Sequence, residues 1–91
     1  MEIDPAKDAM NIARRGISLA EAEVLLNGFT VAFEDLRRDY GETRIIAVGE
    51  IHGVEFVCVY TLRRDKARVI SLRRANRKER DVFRNAKTAP A

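Results

Sequence analysis

The residues in this chain best suited to chemistry are its arginines, and they gather at one end. Between Arg68 and Glu79 the order is Arg-Val-Ile-Ser-Leu-Arg-Arg-Ala-Asn-Arg-Lys-Glu. Apolar residues alternate there with cations and Ser71, and then the pattern changes to a charged helix start. A strand this rich in arginine is costly unless an anion faces it. From Arg63 onward there are eleven Lys/Arg against three Asp/Glu, a net of +8, whereas residues 1–62 hold six against eleven, a net of −5. The formal net charge of +3 therefore conceals a dipolar molecule. A basic end of this kind points to a polyanion, with nucleic acid as the first candidate.

One chemistry that a basic face of this kind could serve is metal-independent RNA cleavage, by attack of a 2′-hydroxyl on the adjacent phosphorus. That reaction needs a proton acceptor, a proton donor for the leaving 5′-oxygen, and cations for the charge that builds on the phosphate. Arginine suits the last task through its fixed fork of donors, and such electrostatic stabilisation is often the largest catalytic contribution. Arg63 and Arg73 are the phosphate-stabilising candidates. Glu79 is either a base, a residue that orients an arginine, or a helix N-terminal acid favoured by the dipole. Arg68 and Arg74 either hold backbone phosphates or pair with helix acids. Ser71 offers a hydroxyl to phosphate or is a plain half-buried serine. Lys7 adds a cation from the first helix or is simply exposed.

Other chemistries lack their parts. Cys58 and His52 are the chain's single cysteine and histidine, too few for a zinc site. His52 reads as a turn residue, and Cys58 as core rather than nucleophile, since no histidine constellation accompanies it. Tyr60 reads as core with its hydroxyl near the rim. There is no glycine-rich phosphate loop, and the aromatics are too scattered for a base-stacking platform. No cofactor is expected. No apolar run approaches the ~20 residues that span a bilayer, and the acidic start is unlike a signal peptide. A cytoplasmic protein with no membrane association is the expectation.

The elements that must position these residues follow from local signals. Ninety-one residues, 46% hydrophobic and 34% charged, make one folded domain. Asp4-Pro5 starts a helix that Gly16 ends after Arg14 and Arg15. Ser18 with Glu21 has the spacing of a capping box and opens a second helix over Leu19–Leu26. Four strands are expected at Phe29–Glu34, Arg44–Ile51, Val54–Leu62 and Ala67–Arg74, with a tight turn at His52-Gly53. Asn76 caps a last helix through about Asn85, and residues 87–91 form a frayed tail. The order ααββββα describes an α+β fold with a mainly antiparallel four-stranded sheet. If Arg63 lies opposite Ala67, then Phe56, Cys58, Tyr60 and Leu62 share the core face with Ile70 and Leu72. Val57, Val59, Thr61 and Arg63 share the other with Val69, Ser71 and Arg73. On that register Arg63 and Arg73 converge on one phosphate.

An ordered set of short matches then resembles a known family. Asp4-Pro5-Ala6-Lys7, Asn11, Arg14-Arg15-Gly16-Ile17-Ser18 and Glu21-Ala22 form its opening pattern. Glu42-x-Arg44, Gly49, Gly53 and Thr61-x-Arg63 follow, then Arg68-x-Ile70-Ser71-x-Arg73-x-Ala75, Glu79 and Phe83. The set is similar to the BrnT toxins of type II toxin–antitoxin pairs, which have a RelE-like fold. Three places depart from the family's habit: Ile3 replaces an aromatic, Arg14-Arg15-Gly16 replaces Lys-His-Gly, and Phe83 replaces tyrosine. The resemblance implies a metal-independent ribonuclease that stops translation and growth. It also implies a BrnA-like ribbon-helix-helix antitoxin, and operator DNA bound by toxin and antitoxin together. Two other readings stay open on the residues alone: a non-catalytic nucleic-acid-binding module, and a structural partner whose basic face receives an acidic protein segment.

Overall fold

The computed structural model describes residues 1–90. The chain forms β1 (Glu2–Ile3), α1 (Pro5–Arg15), a 3-10 turn (Leu19–Glu21), α2 (Ala22–Asn27), β2 (Val31–Glu34), β3 (Arg44–Ile51), β4 (Val54–Arg63), β5 (Lys66–Arg74) and α3 (Arg77–Thr88). The α+β class stands, but the sheet is five-stranded and mixed, in the order β1-β5-β4-β3-β2. The extra strand is β1, which runs parallel to β5 with Glu2 opposite Arg68 and Ile3 opposite Val69. It is too short to leave an alternating pattern in the sequence. The second helix also differs from expectation, being split between the 3-10 turn and a short α2.

The helix signals act locally, with one exchange of partners. The Asp4 carboxylate accepts from the Ala6 N–H, and Gly16 ends α1 in the left-handed region at φ 73°. The anticipated capping box at Ser18 is not reciprocal. Ser18 Oγ accepts from the Ala20 N–H and donates to Asp8 Oδ1, which also accepts from the Leu19 N–H. A complete box forms instead at α3, where Asn76 and Glu79 satisfy each other's backbone N–H groups. Of the tail expected to fray, Lys87 and Thr88 belong to α3, while Ala91 lies outside the described residues.

Two apolar clusters sandwich the sheet. On one face α2 and the 3-10 turn bury Leu19, Ala22 and Leu25 against Ala47, Ile51, Cys58, Val69 and Leu72. On the other, α3 lays Phe83 over Val48, Val57 and Ala75. α1 docks differently, through the amide of Asn11 rather than an apolar stripe. Asn11 Nδ2 donates to the Leu72 carbonyl at 2.9 Å, and its Oδ1 accepts from the Leu72 N–H at 3.2 Å. That side chain pairs with β5 where β1 no longer covers it, so two edge groups that would otherwise need water are satisfied.

The β4–β5 hairpin corrects the expected register. Its turn is closed by Arg64 and Asp65, both at positive φ, so Arg63 faces Lys66 rather than Ala67. A bulge between Val59 and Tyr60 then absorbs one residue of β5, Ile70, and beyond it Val59 faces Ser71 and Val57 faces Arg73. The expected pairing holds past the bulge and fails before it. Val69, not Ile70, is therefore the core residue, fully buried beside Cys58 and Leu72. Leu62, expected in the core, is exposed.

Candidate phosphate-binding cleft

α3 covers only one end of its face of the sheet. The uncovered part is an open cleft of about 400 Å³, lined by Arg15, Phe33, Arg37, Ile46, Val57, Val59, Ser71, Arg73 and Glu79. Its floor is apolar because alternation along β2, β3 and β4 sends Phe33, Ile46, Val57 and Val59 to this side. Its cations come from three elements: Arg73 from β5, Arg15 from the C-terminal end of α1, and Arg37 from the β2–β3 connection.

Arg73 is the most firmly held. Its Nη1 and Nη2 donate to Glu79 Oε1 and Oε2, both at 2.8 Å, and Nη1 also reaches the Arg74 carbonyl at 3.2 Å. Glu79 Oε1 accepts in addition from the Asn76 N–H at 2.9 Å, so the capping box that starts α3 also fixes the arginine. Guanidinium has five donors. These contacts leave Nε–H and one Nη2 hydrogen, the side-on pair that matches two oxygens of a phosphate. The hydrogen bond from Arg73 holds the Glu79 carboxyl below the usual carboxylate range, and the same bond raises the pKa of Arg73. Glu79 thus stays ionised with both oxygens engaged.

Arg37 has a parallel mount. Asp35, its side chain only 2% exposed, accepts from Arg37 Nε at 2.9 Å and Nη2 at 2.8 Å. It also accepts from the Tyr40 hydroxyl at 2.9 Å. The bond from the Arg37 side chain pulls Asp35 far below its ordinary pKa. The Tyr40 ring lies 4.0 Å from the Arg44 guanidinium, and Arg44 Nε and the Thr61 hydroxyl beside it are buried without hydrogen-bond partners among the described residues.

The sequence candidates divide on this geometry. Arg73, Glu79 and Ser71 line the cleft, while Lys7 lies across the β5 edge in a separate groove. Arg63 does not join Arg73. Arg73 faces Val57, and Val57 lies six residues from Arg63 along β4, about 20 Å at ~3.3 Å per residue. Arg63 instead sits 3.5 Å from Glu42 at the open end of the hairpin. The expectation that these two arginines grip one phosphate is corrected: a shared face sets direction, not distance. Arg68 faces Thr61 near the hairpin end and is half-buried, and Arg74 faces Phe56 and is exposed. Asp35, Arg37 and Tyr40, in the polar connection between β2 and β3, were not among the sequence candidates. Nothing in a polar connection says that it folds back onto the sheet, although the Asp-x-Arg spacing was a signal for the local pair.

The departures from the family pattern also separate. Arg15 stands in the cleft, whereas Phe83 is 1% exposed in the core, its ring 5.7 Å from that of Phe29. Cys58 is fully buried, and desolvation pushes its thiol up to about 12. Among the described residues no group of three His, Cys, Asp or Glu comes together as a metal site.

Comparison with protein families returns a match over residues 3–79, to a model described as "Ribonuclease toxin, BrnT, of type II toxin-antitoxin system". That span contains every residue lining the cleft. No curated protein matches the chain.

Proposed function

The chain belongs to this BrnT family of ribonuclease toxins of type II toxin–antitoxin systems, and on that premise we propose that the cleft is where it cuts cellular RNA, with Arg73 on the reacting phosphate. The carrying observation is that Arg73 is clamped end-on by Glu79 while its side-on donors have no partner among the described residues. Arg15, Arg37 and Ser71 line the same space. A phosphate there meets three guanidinium groups over an apolar floor, where charge–charge interactions are stronger than in bulk water. The 2′-hydroxyl of the RNA gives its proton to water and attacks phosphorus, the P–O5′ bond breaks with O5′ taking a proton from water, and a 2′,3′-cyclic phosphate remains. Arg73 and its neighbours stabilise the negative charge that grows on the phosphate oxygens. Glu79 acts as a positioning residue, because a carboxylate already accepting three hydrogen bonds is a weak base. Arg63, far along the hairpin, serves at most as an outlying phosphate contact, as do Arg68 and Arg74.

This function places the protein in the cytoplasm, where cutting RNA stops translation and growth. A ribbon-helix-helix antitoxin would neutralise it by laying an acidic segment over the basic cleft, and the two together would bind operator DNA. A second reading has its own support. Among the described residues neither a histidine nor a free carboxylate lines the cleft, as suits a module that grips nucleic acid without cutting it. One experiment separates them: purified protein with labelled RNA, with and without EDTA, beside Arg73→Ala with its fold checked by circular dichroism. Cleavage that resists EDTA and vanishes in the variant supports the ribonuclease. Salt-sensitive binding without cleavage by the wild type sinks it and leaves the binding module.

A further inference from the structure

A second basic depression lies on the other side of the β5 edge, and nothing in the cleft's chemistry accounts for it. It has a volume of about 340 Å³, and Lys7, Met10, Arg14 and Ile70 line it together with Arg15 and Ser71, which also line the cleft. The two depressions are therefore neighbours across one strand edge. β1 pairs with β5 only at Arg68 and Val69, so the edge beyond is open to α1.

The fold builds this groove through specific devices. Lys7 and Arg14 fall on one side of α1, two helical turns apart, about 10 Å along the axis at ~1.5 Å per residue. Asn11 between them is tied to Leu72, which fixes that side of the helix against β5. Lys7, Arg14 and Arg15 have no ion-pair partner among the described residues, unlike Arg37, Arg63, Arg73, Arg84 and Lys87. The apolar floor depends on the bulge. By taking Ile70 out of the β4–β5 ladder, it removes that side chain from the core and leaves it half-buried beside Met10. Bulges that re-aim a side chain are common beside functional sites.

We propose that this groove binds the RNA strand as it leaves the cleft, with Lys7 and Arg14 on successive phosphates and a base resting on Met10 and Ile70. The proposal rests on RNA being the ligand of the cleft. It specifies a single strand, because the path turns over one strand edge, and a flexible backbone follows that turn where a stiff duplex does not. It also means that the groove contributes to long substrates and not to short ones.

The test uses the full chain and fluorescein-labelled RNA with 2′-O-methyl groups, which lacks the attacking hydroxyl and so reports binding alone. Anisotropy is read on oligomers of about four and about twelve nucleotides, in line with the site sizes of single-strand binders. The wild type is expected to bind the longer oligomer more tightly and with a steeper salt dependence. In Lys7→Ala/Arg14→Ala the slope of log K against log[salt] on the longer oligomer should shrink by about 1.4, at ~0.7 per single-strand phosphate contact. Lys66→Ala, at the hairpin turn, should keep the wild-type slope. A wild-type slope in the double variant overturns the groove, as does equal or tighter binding of the same sequence as a duplex. If the slope shrinks but unmodified RNA is never cut, the groove stands and the ribonuclease reading fails. If RNA is cut and the slope is unmoved, the groove fails and the ribonuclease stands.

Discussion

Gly49 is the point at which α2 comes closest to the sheet, and its replacement gives a sharp test of the packing. A Cβ added there would lie 2.8 Å from Leu25 Cγ, 3.0 Å from Leu25 Cδ2 and 3.2 Å from Thr30 Cγ2. Leu25 is fully buried, so it cannot swing into solvent to make room. Two effects oppose each other in Gly49→Ala. Removing a strand glycine favours the folded state by ~0.5–1 kcal/mol through lost unfolded-chain entropy. Overpacking a closed core costs ~1–3 kcal/mol. With one contact already under 3.0 Å, the steric term wins and a net loss of about 1–2 kcal/mol is expected. For a chain of this size that lowers the melting temperature by ~4–8 °C per kcal/mol. In urea melts followed by circular dichroism the midpoint should fall by about 1 M with m unchanged, given m of ~1–3 kcal/mol/M. Leu25→Ala removes both obstructing atoms, so the double variant should be less destabilised than the two single losses combined, with a coupling of ~0.5 kcal/mol or more. A Gly49→Ala protein as stable as the wild type, or strict additivity in the cycle, would refute the close approach of α2 to β3.

The remaining predictions concern the charges and the thiol. In Glu79→Gln, Arg73 loses its bidentate partner and α3 part of its cap, so stability should fall by ~1 kcal/mol; RNA cleavage should lose kcat more than it gains in KM. Arg73→Lys should not restore cleavage, because an ammonium lacks the fork that grips Glu79 and phosphate at once; steady-state kinetics on a short RNA check both variants. Glu55 is held below its ordinary pKa of 4.5 by the hydrogen bond from Arg84, and Glu79 likewise by Arg73. Both stabilise the fold fully above the unfolded-state value and lose that contribution as pH falls through the lower folded-state values, so urea midpoints should drop below about pH 4.5. Cys58, raised from 9.0 to about 12, should resist thiol reagents in the native protein and react only on unfolding. Its contribution, complete below pH 9, fades as pH rises from there toward 12.

The family pattern was legible as spaced residues, yet the structure changes what the departures mean. The position where relatives carry histidine is Arg15, in the cleft, so there the substitution alters the chemistry on offer. Phe83 is buried against Phe29 and Ala75, so the missing hydroxyl lies in the core rather than in that cleft. A sequence position carries no burial until the helix that bears it has docked.

Sequence alone determined the features governed by neighbours a few residues away. Asp4 and Asn76 as caps, Gly16 as a stop, the His52-Gly53 turn and the alternation of β3 and β4 were all readable, because capping and pleating depend on local geometry. The bias of cations toward the C-terminal end was readable as well, being a property of composition. Tertiary structure decided what depends on distant pairing. The bulge at Ile70 set which of Val69 and Ile70 is core, and separation along β4 parted Arg63 from Arg73. The docking of α1 and of the β2–β3 connection brought Arg15 and Arg37 to the same cleft. The physical reason is that local signals specify the direction of a side chain relative to its own backbone. The distance between two side chains on different elements is set by register, and register is fixed only when the whole sheet has formed.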